Sequence, residues 1–430
     1  MSTNWDEIFD KDFIIKVRND ERKYLALDPI DPQWETTQYF SKTNLYYKKT
    51  TAFWSGNDVK KIIYEVRKIS SKGELLYESI LEYDAFVRTD NREMIIPKTS
   101  RGKMKRVNST NLLSVKEAGC SFILWRDIYN SHETFSMSVY NTINNKELPL
   151  YGGTKGYTVS NDEDFHVFME QFVKTCPPDY FDRVRLIREA KHINVKYKVG
   201  DIFRMEISRF EYHYGIIIGK VGEFYGWDEL PDRHSFNTLL TVPIMIRLYD
   251  ITTTEKNLKA EDLKDIRLGR MEICSDGEIF RGTHTIVDHK DIDENDLEFN
   301  LICSKTNGFG PHDTTTTFDS LIHDKIVETP DRFDLFVEWG MATTILRYEN
   351  MTEKLREFMK DYFPPHGGVT LGISTFAGLC EKNNLLDSNN DDIREELFCC
   401  LGLEKDADFD DFALKFGGMK KSDIINKMVM

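Results

Sequence analysis

The sequence lacks any hydrophobic run long enough to cross a membrane, and it has few cysteines. A spanning helix needs about 18–20 apolar residues in succession, and no such run occurs. The N-terminal segment 1–10 contains acids and no apolar stretch, unlike a secretory signal. Seven cysteines, an odd number scattered over 430 residues, do not form the pattern of a disulfide framework. We therefore expect a soluble, cytoplasmic chain with no membrane association.

Internal repeats and low-complexity tracts are also lacking, which argues against a solenoid. A chain of 430 residues exceeds the size at which single hydrophobic cores stop growing, about 250–300 residues. Hydrophobic residues make up 40% of the chain, enough to bury real cores and to exclude wholesale disorder. Two or three globular domains are expected.

The negative charge of the chain is unevenly distributed. The net charge is −15, from 57 basic and 72 acidic residues. The first 190 residues contain 28 of each sign, so residues 191–430 carry the whole excess. An acidic surface repels phosphate backbones and attracts basic partners, although acidity that serves only solubility is equally consistent with this composition.

The N-terminal region combines strands with amphipathic helices. Val59–Ile69 and Glu74–Val87 alternate apolar and polar residues around a turn at 70–73, which predicts a hairpin. Cys120–Trp125 and Thr134–Tyr140 form another plausible strand pair. A helix is predicted after a capping box at Ser160 and Glu163, with helical spacing of the following apolar residues: Phe165, Phe168, Met169, Phe172 and Val173.

The rest of the chain changes from strands to helices. Ile202–Ile207 with Tyr212–Val221 predicts a hairpin, and further strands are expected in three segments: Leu239–Tyr249, Ile279–Val287 and Phe299–Cys303. Leu335–Arg347 is either strand or helix, and acidic helices follow to the end of the chain. The fold class expected is multidomain α+β, with antiparallel β-rich N-terminal and middle domains and a mostly helical acidic C-terminal region. The expected boundaries are 1–191, 195–305 and 315–430.

No catalytic constellation stands out. His366-Gly367-Gly368 lies near Ser374, but the G-x-S-x-G elbow of a hydrolase is absent. Two carboxylate pairs weakly resemble the metal-binding acids of nucleases, but their acid-x-lysine elements do not lie on strands; the acids are Asp179 with Glu189, and Asp232 with Asp262. We therefore expect no catalytic residue, no metal ligand and no cofactor.

Three charge clusters remain. A basic run, Lys98 to Arg106, has no interleaved aromatic residues, which disfavours nucleic acid as a partner. A second acidic run extends from Asp391 to Asp411. The first acidic run lies between the last two strands of the middle region and is the candidate surface for a basic protein partner, on charge alone: Asp288, Asp291, Asp293, Glu294, Asp296 and Glu298.

Two segments of the middle region resemble a known family. Tyr197–Met205 and Tyr212–Gly219 resemble the opening of the immunity protein 26 family of bacterial polymorphic-toxin systems, which has a K-x-G-D-x-F strand and an aromatic-Gly return strand. Ile279–Val287 is similar to the family's second block, with His284 at a position that usually holds Trp. The resemblance spans residues 195–305 and implies a function in binding.

The sequence thus supports two functional hypotheses. The first is a non-enzymatic bacterial immunity protein that neutralises its cognate protein toxin by occlusion, with a basic, nuclease-like toxin favoured by the acidic charge. The alternative is a metal-dependent nucleic-acid-processing or defence-associated enzyme that uses one of the carboxylate pairs. The sequence does not give the identity of the toxin, the contact surface or the oligomeric state.

Overall fold

The computed structural model describes most of the chain, and the described residues form four antiparallel sheets, two of them large. The residues described are 5–10, 15–96, 103–113, 120–127, 134–141, 146–151, 159, 162–189, 191, 193–231, 234, 236, 243–299, 301–306, 333–362 and 391–429. Sheets and helices both occur, and helices dominate the C-terminal end. The predicted α+β class is confirmed.

A seven-stranded sheet organises the N-terminal region. Its strand order is β1-β2-β3-β4-β7-β8-β9, and every neighbour is antiparallel. A two-stranded ribbon, β5–β6, lies beside it. Both predicted strand pairs are confirmed, as β3–β4 and β7–β8. The strands are β1 (Glu35–Thr43), β2 (Tyr46–Ser55), β3 (Asp58–Ile69), β4 (Leu75–Arg88), β5 (Met94–Ile95), β6 (Lys105–Arg106), β7 (Cys120–Asp127), β8 (Thr134–Asn141) and β9 (Lys146–Tyr151).

Helices cover one face of this sheet. The predicted helix is α4, and four of its five apolar positions are buried: Phe165, Phe168, Met169 and Phe172. Ser160 of the predicted capping box lies outside the described residues. The helices of this region are α1 (Trp5–Asp10), α2 (Asn19–Arg22), α3 (Ser109–Leu113), α4 (Asp162–Lys174) and α5 (Tyr180–Glu189).

A five-stranded sheet forms the middle region, with strand order β13-β12-β11-β10-β14. The predicted hairpin is confirmed as β10–β11. The strand predicted over Ile279–Val287 is wrong in its first half, because Gly277–Phe280 forms a helical turn and Gly282 has φ of +71°. The elements are β10 (Asp201–Glu206), β11 (Tyr212–Lys220), α6 (Val221–Phe224), β12 (Pro243–Tyr249), α7 (Ala260–Leu263), β13 (Leu268–Ser275), α8 (Gly277–Phe280) and β14 (Thr285–His289).

In its described residues, the C-terminal part of the chain adds a small sheet and four α-helices. The ambiguous stretch Leu335–Arg347 forms two strands around a turn at Gly340, and the first of them pairs with β15. The elements are β15 (Leu301–Thr306), β16 (Asp334–Trp339), β17 (Ala342–Leu346), α9 (Glu353–Tyr362), α10 (Asp391–Cys400), α11 (Phe409–Phe416) and α12 (Lys421–Val429).

One hydrophobic core joins the middle sheet to the C-terminal elements. It includes Ile202 and Ile216 from the five-stranded sheet, Trp339 from β16, and Phe412 and Ile424 from the last two helices. The opposite face of the sheet has a smaller core of its own, around Phe203 and Ile217. The middle sheet is therefore packed on both faces.

Candidate functional site

A glycine-aspartate turn fixes the start of β10 and carries the motif found in the sequence. Gly200 has φ of +91°, and a Cβ there would lie 2.2 Å from the carbonyl oxygen of Lys290. Only glycine fits such a position. Asp201 accepts hydrogen bonds from the backbone N–H of Lys198 (2.8 Å) and from Nδ1 of His289 (2.9 Å). The motif thus ties β10 to the end of β14, where the acidic run begins.

Close packing explains the second glycine of the motif. A Cβ on Gly215 would lie 2.5 Å from Cζ of Phe203, so the ring occupies the space that a side chain would need. The other side of Phe203 stacks on His284, with ring centroids 5.9 Å apart. Burial lowers the pKa of His284 to about 4, so the imidazole is neutral near pH 7. His284 therefore provides a flat, uncharged ring that stacks on the core residue Phe203.

Three of the six predicted contact residues form hydrogen bonds or ion pairs with other residues of the chain. Asp288 accepts the backbone N–H of Ala260 (2.9 Å), and hydrogen bonds from backbone amides lower the pKa of its carboxyl. Asp296 is buried and forms an ion pair with Lys290 (2.7 Å). Glu298 forms an ion pair with Arg247 (2.8 Å). These carboxylates hold the acidic run against the sheet.

The other three predicted contact residues are exposed. Asp291 is fully exposed, although one of its oxygens lies 3.6 Å from Nε2 of His289. Asp293 is exposed while accepting the backbone N–H of Asn295 (2.7 Å) and of Asp296 (3.2 Å), which fixes its orientation. Glu294 is also exposed. The structure therefore presents Asp291, Asp293 and Glu294 together on one short segment.

The second acidic run lies next to the first. Phe299 follows the first run and stacks on Phe409 of α11, with ring centroids 5.5 Å apart. Lys421 bridges the two runs, because its backbone N–H donates to Asp410 (3.0 Å) and its Nζ donates to the carbonyl oxygen of Glu294 (3.4 Å). Around Asp410 the second run is exposed at Asp406, Asp408 and Asp411. We call the exposed carboxylates of both runs the acidic surface: Asp291, Asp293, Glu294, Asp406, Asp408 and Asp411.

Three basic residues that organise this surface were not identified from the sequence. Arg247 donates to the carbonyl oxygens of Asn295 (2.8 Å) and Asp296 (3.0 Å), and Lys290 and Lys421 make the contacts described above. Within residues 288–298, Lys290 is the one basic side chain other than histidine. Its position among six acids could have indicated that one of them forms an ion pair with it. Arg247 and Lys421 gave no such signal, since Arg247 lies 48 residues from Asn295 and Lys421 lies 127 residues from Glu294.

The carboxylate pairs considered for nuclease chemistry are separated or engaged elsewhere. Asp179 precedes α5 and forms an ion pair with Lys256, while Glu189 is exposed at the far end of the same helix. Ten residues of helix place them about 15 Å apart. Asp262 accepts the backbone N–H of Lys259 (2.8 Å), and Asp232 lies outside the described residues. Among the residues described, no group of His, Cys, Asp and Glu could hold a metal ion.

The structure describes part of the basic run that was considered as a contact for nucleic acid. Of the basic run, Lys103, Lys105 and Arg106 are described and exposed, and the last two form β6. Lys98 and Arg101 lie outside the described residues.

In the described part of the chain, no helix is both long enough and apolar enough to cross a membrane.

Comparison with known proteins assigns the middle region. Residues 198–308 match the family model described as Immunity protein 26, which confirms the resemblance inferred from the glycine-aspartate motif. The match covers about a quarter of the chain. No curated protein and no solved structure matches the chain. The description of the family implies an immunity protein of toxin systems.

Proposed function

We propose that the chain is a bacterial immunity protein that binds a cognate polymorphic toxin and neutralises it by occlusion. The observation that carries the proposal is the position of the acidic surface. It begins two residues after the end of β14, which the family motif fixes, and three of its six carboxylates lie within the segment that matches the family model. The family match supports the class of function, and the acidic surface is the place of contact that we propose.

The chemistry of this surface favours a basic toxin, such as a nuclease. Exposed carboxylates at the rim of an interface steer a basic partner into contact and raise the association rate, while they add little to affinity once bound. The excess of 15 negative charges in residues 191–430 acts in the same direction over a longer range. A toxin that binds nucleic acid presents the complementary positive charge at its active site, so the same contact would occlude that site.

The proposed place of action is the bacterial cytoplasm. Five cysteines are free thiols, namely Cys176, Cys274, Cys303, Cys399 and Cys400. Free thiols are typical of reducing compartments. A toxin neutralised there would be one that acts on the cell which makes the immunity protein.

A growth assay tests the function directly. Each toxin domain encoded in the source genome is expressed alone and together with this chain. The proposal expects one toxin whose growth arrest the chain relieves, and a complex of the two purified proteins that associates more slowly as salt rises. Failure to relieve any of these toxins contradicts the immunity function. If the chain relieves a toxin but the association rate of the two proteins does not depend on salt, the immunity function holds and only the proposed acidic contact is wrong.

A further inference from the structure

One half of one face of the N-terminal sheet forms an open aromatic groove. The pairing of β2, β3, β4 and β7 places Lys48, Val66, Ser79 and Trp125 in one row across four strands. The rows on either side add further side chains to this face: Tyr64 on one side, and Tyr46, Lys68 and Tyr77 on the other. The groove has a volume of about 440 Å³ and is lined by Tyr46, Lys48, Tyr64, Val66, Tyr77 and Ser79. We call these eight side chains, with the groove between them, the aromatic face.

The aromatic face is the part of this sheet surface that the described elements leave uncovered. The other half of the same surface is covered by residues 94–96 and 103–113, because Ile95 and Leu112 pack with Ile62 and Tyr83. Tyr46 and Trp125 are 38% and 37% exposed, and none of the aromatic residues of the face belongs to a hydrophobic core. Clustered exposed aromatic rings of this kind mark a binding surface.

Two lysines bring positive charge to the groove. Lys48 lines it, and Nζ of Lys68 lies 5.5 Å from the ring centre of Tyr46. Glu65, Glu78 and Glu82 of the same strands lie on the opposite face, where they form ion pairs with other cations. One acidic residue, Asp127 at the end of β7, pairs with Tyr77 in the register and so lies at the edge of the aromatic face. The residues that line the groove include no carboxylate. The exposed Lys105 and Arg106 of β6 belong to the segment that covers the neighbouring half. A ligand of this face should therefore be anionic.

We propose that the aromatic face binds single-stranded nucleic acid. Flat rings on an open sheet stack with unpaired bases, and about two or three bases fit on a sheet of this width. Lys48 and Lys68 would contact the phosphates that connect those bases. A protein partner is less suited to this face, since protein interfaces are depleted in lysine. A duplex is also less suited, because its bases are already stacked inside.

This inference departs from the expectation formed on the basic run at 98–106, which lacks aromatic residues. The register of four strands brings together residues that lie up to 79 positions apart, from Tyr46 to Trp125. A short sequence motif cannot indicate contacts between residues so far apart. The face also lies outside the segment that matches the family model, so its test is independent of the toxin.

Fluorescence anisotropy of labelled oligonucleotides tests the proposal on the full chain. The probes are oligo-dT and oligo-U of about twelve nucleotides, within the usual footprint of single-strand binding sites, and a DNA duplex of the same length. We expect both single strands to bind, weaker binding as salt rises, and a much weaker signal from the duplex. A preference between oligo-dT and oligo-U would identify DNA or RNA as the ligand.

Two variants locate the binding, each with a matched control. Trp125→Ala should weaken binding about tenfold, whereas Phe280→Ala, which removes another ring of similar exposure (39%), should not. The double variant Lys48→Glu and Lys68→Glu should abolish detectable binding, while Lys264→Glu with Lys405→Glu, exposed lysines elsewhere, gives the same net charge and should bind normally. Circular dichroism checks that each variant is folded.

Two results would overturn the proposal. One is the absence of any anisotropy change with either single strand at low salt. The other is binding that the aromatic-face variants and their controls weaken equally, which would place the nucleic acid elsewhere. If the wild-type chain binds neither polymer, but Trp125→Ala impairs relief of a toxin, the face is a protein contact and the nucleic-acid proposal is wrong.

Discussion

At the scale of single residues, the family motif is a device of backbone geometry. Gly200 and Gly215 are placed by steric need, and Asp201 is placed by two hydrogen bonds. None of the three offers an exposed reactive group, since Asp201 is buried and its hydrogen bonds are internal. What the motif preserves is the position of the β14 end, and with it the start of the acidic run.

Gly200→Ala should destabilise the chain far more than an alanine at an unconstrained turn glycine. The added methyl group meets the carbonyl oxygen of Lys290 as well as an unfavourable φ, so we expect a loss of about 3–5 kcal/mol in the free energy of unfolding. Gly73 is the control, because its φ is +88° and no heavy atom lies within 4 Å of its Cβ position. There the cost is about 1–2 kcal/mol. Urea denaturation measures both variants, and equal losses would contradict the steric explanation.

His284 should make the stability of the chain fall in mild acid. The imidazole has a pKa of about 4 in the folded chain and about 6.5 when unfolded, so between these values only the unfolded chain takes up the proton. Its contribution is full above pH 6.5 and is lost as the pH falls, by about 2 kcal/mol at pH 5. His284→Phe keeps a ring against Phe203 and cannot titrate. Urea midpoints at pH 7 and pH 5 should differ less for this variant, and an identical difference would show that His284 is not the cause.

At the scale of elements, the turn of the β10–β11 hairpin joins the middle sheet to the N-terminal helices. Arg209 in this turn is buried and donates to the carbonyl oxygen of Phe172 (2.8 Å) and to Thr175 (3.2 Å) at the end of α4. Arg183 of α5 donates in return to the carbonyl oxygen of Arg209 (2.7 Å) and to Glu206 (2.6 Å). The two arginines therefore interlock a hairpin of the family-matched segment with a helix pair outside it.

Arg209→Ala should loosen this junction. It removes a buried cation together with its hydrogen bonds and leaves the carbonyl oxygen of Phe172 with only the weaker donors of Cys176 and Thr175, so we expect a loss of about 2–4 kcal/mol in the free energy of unfolding. Arg267→Ala is the matched control, since that side chain is 82% exposed and pairs with Asp250 on the surface. Its cost should stay within about 0.5 kcal/mol. Thermal unfolding compares the two, and similar losses would mean that the junction contributes little.

Elements with a local pattern could be predicted from the sequence, and contacts between distant elements could not. The β3–β4 hairpin and α4 each have a periodicity that only one structure satisfies. The prediction for Ile279–Val287 was wrong at its start because Ile279 and Phe280 are apolar in either a strand or a helical turn. The pairing of β4 with β7, and the stacking of Phe299 on Phe409, join segments 30 to 110 residues apart. The hydrophobic pattern of one segment does not indicate which distant segment it contacts.

At the scale of the whole molecule, the two acidic runs are brought together by the core that the middle sheet shares with the C-terminal helices. Phe299 and Phe409 both belong to this core; Phe299 directly follows the first acidic run, and Phe409 lies within the second, between Asp408 and Asp410. The charges are thus placed by apolar contacts beneath them. Because these contacts fix the segments from inside, the exposed carboxylates can be changed without removing what holds the surface in shape.

Neutralising the acidic surface should therefore slow toxin association without unfolding the chain. In a triple variant, Asp291→Asn, Glu294→Gln and Asp406→Asn, the altered side chains are all exposed, so stability should change by no more than about 0.5 kcal/mol per residue. The association rate with the toxin found in the growth assay should fall about tenfold at low salt, and the salt dependence should weaken, because steering by charge acts on encounter.

The control for that variant has the same net charge and the change elsewhere. Glu74→Gln, Glu93→Gln and Glu189→Gln remove three exposed carboxylates from the N-terminal region, where the charges of the first 190 residues balance. If both variants slow association equally, steering depends on total charge, and the acidic surface has no special position. If only the variant of the acidic surface associates slowly, the toxin approaches the acidic surface, whose start the family motif positions. Stopped-flow measurement at two salt concentrations separates the two results, since a local contact also changes the slope against salt.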